Sequence, residues 1–347
     1  MAPYDRLRPD GSPRPLETGT WWYASVAGEA ADSFSTRVRK RMRHACLGAV
    51  LLMAVVYAGL VLTATGQRWE NAVLAGRFTD GTLAAAHEAN RTLQHVAVYS
   101  LAIALMILTL IGMLRRRHVL TVAALGAVAV SLFLAEVLQH ALLARPDLVE
   151  APPQLSHNSF PSGHGAIAMS VMSGLVLVVP YGLRGLAVGL CALWATAVSA
   201  YSLAAGWHRP SDLIGADLLV LAVACGLVAV LARRGKVAPA RTRRFPLRTL
   251  FVVAPLSAAA VSGLGIGLVL LVDSMFVLEP ADPSVPRLAY QAGQALVLGA
   301  GAAATLLLLA LIRHVDLGAR PVPYKITGTL STEPTGPFPT EADHEIS

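Results

Sequence analysis

Three short stretches of the chain combine residue types suited to phosphate: Arg145-Pro146-Asp147, Asn158-Ser159-Phe160-Pro161-Ser162-Gly163-His164 and Gly206-Trp207-His208-Arg209-Pro210-Ser211-Asp212. Ser162, Gly163 and His164 open an apolar helix-forming stretch. The first N–H groups of a helix lack internal partners, and its dipole favours an anion. Gly163 lets a ligand come close to the backbone. Arg145 offers a fork that holds two phosphate oxygens, which a lysine cannot reproduce. In the third stretch Pro210 suits the first turn of a helix, and Asp212 follows His208 by four residues, which puts both side chains on one face. A carboxylate there holds the imidazole in one tautomer and stabilises its positive form. A nucleophile, an orienting acid, a second histidine and an anion site together describe covalent group transfer.

The elements that must position these residues are membrane spans. Of 347 residues, 55% are hydrophobic and 14% charged, against about 25% charged in an ordinary soluble domain. That excludes a soluble globule. A bilayer core needs about 20 apolar residues as a helix, and the chain supplies eight stretches, at about 45–65, 96–114, 119–143, 164–180, 185–205, 211–232, 250–272 and 294–312. The fourth is the shortest. The polar segment before the first span far exceeds the charged start of a cleavable signal, so that span is read as a signal anchor.

The net charge of +7 does not indicate a nucleic-acid binder, because the basic residues flank apolar blocks and the aromatic recognition elements are absent. Arg37, Arg39, Lys40, Arg41 and Arg43 precede span one; Arg115, Arg116 and Arg117 separate spans two and three; Arg184 lies between four and five; Arg233 to Arg248 fill the connection from six to seven. All fall on one side if the eight spans are real, which predicts both termini in the cytoplasm and the other loops outside. Between His164 and His208 the chain crosses twice, so the three stretches share the outer face.

Other residues keep open readings. Cys46, Cys191 and Cys225 lie in apolar blocks without metal-type spacing, which points to packing. Glu136 precedes His140 by four residues, as a structural pair or a proton relay, and Asp217 points away from Asp212, toward a helix contact. His157 and Asn158 contact substrate or cap a loop; Trp21, Trp22 and Tyr23 form an interfacial anchor or a chance cluster; His87, Glu88 and His95 fit a solvated helix face better than a metal site. The expected organisation is a polar tail at 1–44, a six-span core at 45–232, a basic linker at 233–249, two more spans at 250–313 and a disordered tail at 314–347.

The three stretches resemble the signatures of the type 2 phosphatidic acid phosphatase superfamily, which also includes vanadium haloperoxidases: Lys-x6-Arg-Pro, Pro-Ser-Gly-His and Ser-Arg-x5-His-x3-Asp. The second is intact at Pro161-Ser162-Gly163-His164. The Arg-Pro of the first stands at Arg145 and Pro146, and the His-x3-Asp of the third at His208 and Asp212. The family lysine falls at Leu138, beside Gln139 and His140. The family serine and arginine fall at Tyr201 and Ser202. Two cationic contacts are therefore missing, and Arg209 and His140 are the expected replacements.

The resemblance implies an all-α polytopic membrane protein with a six-helix phosphatase core plus two extra C-terminal helices. It implies hydrolysis of a phosphate monoester or diphosphate on a lipid carrier, such as undecaprenyl diphosphate or phosphatidic acid, through a phosphohistidine and without a metal or other cofactor. His208 is the implied nucleophile, Asp212 its orienter and His164 the general acid and base. Arg145, Ser162, Gly163, Arg209 and His140 are the implied substrate contacts. Partners reduce to the lipid phosphate and membrane lipids, and the site is expected to face outward from a bacterial plasma membrane. Transfer to a glycan or lipid hydroxyl, and a non-catalytic lipid-binding or transport role, are the alternatives.

Overall fold

The structure, a computed structural model, describes residues 31–78, 101–149, 157–240, 249–279 and 281–318. Trp21 to Tyr23, His87, Glu88, His95 and most of both tails lie outside the described residues. The first long helix is α1 (Ala31–Val56), which ends in a π-helical turn, Tyr57–Val61. A short helix, α2 (Ala64–Gly76), and an apolar one, α3 (Leu101–Leu114), follow. The core continues with α4 (His118–Val137, extended by the π-turn Leu138–Leu142), α5 (Gly163–Val178), α6 (Arg184–Ala204) and α7 (Pro210–Arg233). Last come α8 (Ala254–Val272, flanked by π-turns Thr249–Val253 and Asp273–Val277) and α9 (Val285–Leu311). The fold is an all-α polytopic membrane protein. Among the described residues six helices are long and apolar enough to span a bilayer, and α3 and α5 are shorter apolar helices.

The centre of the bundle is α7, buried along most of its length against α1, α5 and α9. On α1 the residues facing it are Phe34, Val38 and Met42, spaced four apart, with Ala49 continuing the stripe. Leu47, Leu51 and Val55 on the other face are exposed, as suits lipid contact. At 16 residues α5 is about 24 Å long, shorter than a bilayer core, and its first residues start inside the bundle, with Ser162 fully buried.

The basic connections share one end of the bundle. Arg184 Nη1 donates to the carbonyl of Val315 at 2.9 Å, and Arg117 Nη1 donates to that of Gly318. There the segment after α7 pairs with the segment after α9: β1 (Val237–Pro239) runs antiparallel to β2 (Val315–Leu317). These residues had been expected in a linker and a disordered tail. The pairing joins two segments far apart in the chain, and a run of three residues carries no strand periodicity to read.

Two further elements depart from expectation. α2 lies in the stretch read as an outer loop, because its buried face mixes Gln67 and Glu70 with Trp69, Val73 and Leu74 and so shows no apolar stripe. α9 begins nine residues before its expected start at 294, since its first turns carry Arg287, Tyr290 and Gln294 among the buried Ala289, Ala292 and Gly293.

Candidate active site

Three chain segments converge at the bundle end opposite the basic connections. Ser162 caps α5: its Oγ accepts from the N–H of Gly165 at 3.1 Å, and its own N–H donates to the carbonyl of Asp212 at 2.9 Å. The loop before it is anchored by Phe160, whose ring rests on α7 at Gly215, where a Cβ would lie 2.5 Å from the ring. A Cβ at Gly163 would meet nothing within 4 Å, so the first turn of α5 opens onto free space, the place for an anion.

The two histidines face each other there. His164 Nδ1 lies 3.3 Å from His208 Nε2, and Trp207 packs against the His164 ring at 5.1 Å between centroids. The other nitrogen of His208, Nδ1, is 3.7 Å from Asp212 Oδ2, an ion-pair separation longer than a hydrogen bond. The Asp212 carboxylate is held from two other directions: Oδ2 accepts from Ser159 Oγ at 2.6 Å and from the backbone N–H of Arg209 at 2.8 Å. Arg209, almost fully buried, donates from Nη1 to Ser159 Oγ at 3.1 Å. Burial lowers the pKa of its guanidinium, partly offset by Asp212.

Arg145 is not free to meet an anion alone. Its Nη1 donates to Glu70 Oε2 at 2.9 Å, and both side chains are buried. The other oxygen, Glu70 Oε1, accepts from the N–H of Ser211 at 3.2 Å, in the first turn of α7. Glu70 therefore takes an anion's position, between an arginine and a helix N-terminus. Burial pushes its carboxyl above the usual glutamate range and the charge of Asp212 pushes it further; Arg145 and Ser211 oppose this. One turn earlier, Gln67 Nε2 donates to the carbonyls of Pro146 (2.6 Å) and Val61 (2.8 Å), and its Oε1 accepts from the N–H of Leu148 (3.2 Å). α2 thus fixes the segment that carries Arg145.

The structure gathers His208, His164, Asp212, Ser162, Gly163, Arg145 and Arg209, and leaves His140 out. His140 sits exposed on the π-turn after α4, with Nδ1 3.3 Å from Glu136 Oε2, four residues earlier on the same exposed face. The idea that it replaces the missing lysine is corrected by this placement: its helix turns it away from the cluster. Asn158 caps the loop, with Nδ2 donating to the carbonyls of Gln139 (2.7 Å) and Leu143 (3.0 Å). His157 is exposed. Asp217 faces α9, where a Cβ on Gly301 would be 3.3 Å from its Oδ2. Ser202 is fully buried.

Residues 119–237, from α4 to β1, match the model of the PAP2 superfamily. Over that third of the chain it is similar to the superfamily. No curated protein and no solved structure matches it. The PAP2 region holds Arg145, the Pro-Ser-Gly-His turn and the His208–Asp212 pair, and the similarity points to phosphatase or phosphotransferase chemistry on phosphate esters. Glu70 and Gln67 lie outside the PAP2 region, as do α8 and α9. Sequence reasoning missed Glu70, Gln67 and the role of Ser159. The available signal was weak: Trp69, Val73 and Leu74 recur at helical spacing around Glu70, in a run too mixed with polar residues to read as an apolar stripe.

Proposed function

We propose that the protein is a lipid phosphate phosphatase that hydrolyses a phosphate monoester or diphosphate on a lipid carrier, at the outer face of a bacterial plasma membrane. The observation that carries this reading is His208 Nε2 opposed to His164 Nδ1 at 3.3 Å, with Asp212 behind the other nitrogen of His208. His208 Nε2 attacks phosphorus and the N–P bond forms as the P–O bond to the leaving group breaks. Protonated His164 gives its proton to the departing oxygen. Water then loses a proton to His164 and attacks phosphorus, and the N–P bond breaks. At 3.3 Å nothing fits between the rings, so His164 swings aside as the phosphoryl group enters over Gly163. Arg209, Arg145 and the first-turn N–H groups of α5 stabilise the equatorial oxygens. A site at the end of a membrane bundle suits an amphiphile, whose tail stays in lipid.

The test is phosphate release by purified protein in detergent with EDTA, on phosphatidic acid, phosphatidylglycerol phosphate and a prenyl diphosphate. Release is expected from at least one, with inhibition by vanadate and a loss of about 10²–10⁴-fold in His164→Ala and a larger one in His208→Ala. Equal release by wild type and both variants would remove the histidines from the chemistry.

A further inference from the structure

At the other end of α7, about 36 Å from the histidines along a 24-residue helix, a groove of about 520 Å³ runs between α1 and α7. Arg39 and Arg43, one turn apart on α1, and Arg233 in the last turn of α7 stand at its mouth. Among the described residues none of the three pairs with an acidic side chain. One to two turns further toward the middle of the bundle the lining becomes apolar, with Leu47 on one wall and Val230 and Gly226 on the other. A Cβ at Gly226 would meet nothing within 4 Å, so the glycine leaves a notch in the floor.

Three unpaired guanidinium groups over an apolar channel form a template for an anionic head with a hydrocarbon tail. We infer that this groove binds an anionic glycerophospholipid from the leaflet opposite the histidine site. The phosphate lies among Arg39, Arg43 and Arg233, and an acyl chain follows Leu47 and Val230 past Gly226. Basic residues at a membrane surface also set topology, but topology depends on their number, whereas a groove depends on their position and on the open floor. The inference is independent of the reaction at the other end.

The experiment is native mass spectrometry of the full chain in detergent, with dioleoyl phosphatidylglycerol or dioleoyl phosphatidylcholine added at equal concentration. Phosphatidylglycerol is expected to be retained selectively. Arg39→Gln, Arg43→Gln and Arg233→Gln each weaken retention about fivefold. Gly226→Leu, which fills the notch without changing charge, weakens it at least tenfold. Lys40→Gln and Arg234→Gln remove charge at the same surface outside the groove and leave retention unchanged. Equal retention of the two lipids overturns the proposal, as does wild-type retention in Gly226→Leu or equal loss in Lys40→Gln and Arg43→Gln.

Discussion

Glu70→Gln separates a structural role for the carboxylate from its electrostatic one. The amide keeps an acceptor for the Ser211 N–H but presents no charge to Arg145, which is 2.9 Å from Glu70 Oε2 in the wild type. Two arginines and two carboxylates, Arg145, Arg209, Glu70 and Asp212, make the buried cluster electrically balanced, and the variant leaves it one positive charge in excess. Removing one partner of a buried ion pair costs about 3–5 kcal/mol, so the apparent unfolding midpoint falls. The freed guanidinium is worth about 4 kcal/mol to an anion charge 4 Å away at an effective dielectric constant of 20. Part of that is offset by desolvation, which leaves an expected gain in vanadate affinity of at least tenfold. Vanadate at 100 times its Kd restores about 2.7 kcal/mol, most of the loss. The assay is thermal unfolding in detergent with titrated vanadate. Stability and anion affinity move in opposite directions if Glu70 competes for Arg145. Weaker vanadate binding by the variant refutes this and makes Glu70 a residue that aligns Arg145. Combining Glu70→Leu with Arg145→Met provides the control: an apolar replacement of the whole pair is near neutral for stability, while the gain in vanadate affinity disappears with the guanidinium.

Burial raises the Glu70 carboxyl, with Asp212 adding and Arg145 opposing, so Glu70 takes up a proton at a higher pH than an ordinary glutamate. As pH falls through the folded pKa, Glu70 takes up a proton, Arg145 is released and vanadate affinity rises relative to Glu70→Gln, whose difference from wild type shrinks toward acid pH. Ser159→Ala removes a 2.6 Å donor to Asp212 and a 3.1 Å acceptor for Arg209. At about 1.5–3 kcal/mol per hydrogen bond to a charged group, kcat/KM for phosphate release drops about tenfold or more. Gly76→Ala places a Cβ 2.0 Å from the Pro286 carbonyl oxygen of α9, which costs about 1–3 kcal/mol by overpacking and shows as a lower unfolding midpoint. His140→Ala changes stability by no more than about 0.5 kcal/mol and leaves phosphate release intact, because His140 is exposed and among the described residues its polar partner is exposed Glu136.

The histidine cluster was legible where residue type and spacing coincide. His208 and Asp212 sit four apart at a helix start, and Ser162 caps the helix that the Pro-Ser-Gly-His run opens, so local sequence dictates local geometry. Six of the eight expected spans were legible as long apolar helices among the described residues, and the other two, at 96–114 and 164–180, correspond to the shorter apolar helices α3 and α5. Glu70 was not, because nothing near it in the chain explains a buried acid: its partners, Arg145 and Ser211, are 75 and 141 residues away. The replacement for the family lysine was misplaced for the same reason. Adjacency to Leu138 suggested His140, but a helix turns successive residues about 100° apart, and His140 falls on the exposed side.

The helices outside the PAP2 region have a physical task that their sequence does not announce. α2 carries two polar residues into the site and is too short to stay there on propensity alone, so it needs a wall. α8 and α9 supply it. Trp69 Nε1 donates to Ser274 Oγ at 3.0 Å in the turn after α8, Gly76 lies against Pro286, and Val73 and Pro210 both pack on Gly293 of α9. Trp69, Val73 and Leu74 share a buried cluster with Ala289, Ala292 and Val297 of α9 and with Leu203 and Leu213 of the PAP2 region. The same α9 contact that holds α2 therefore touches Pro210, the first residue of the helix whose next N–H meets Glu70. A change at Gly293 reaches the histidine cluster through both routes at once: a Cβ there would lie 3.0 Å from Pro210 and 3.0 Å from Val73, closer than most packed side chains tolerate. The two extra spans thus brace the helix that presents Glu70 to Arg145, without contributing a side chain to the histidine pair.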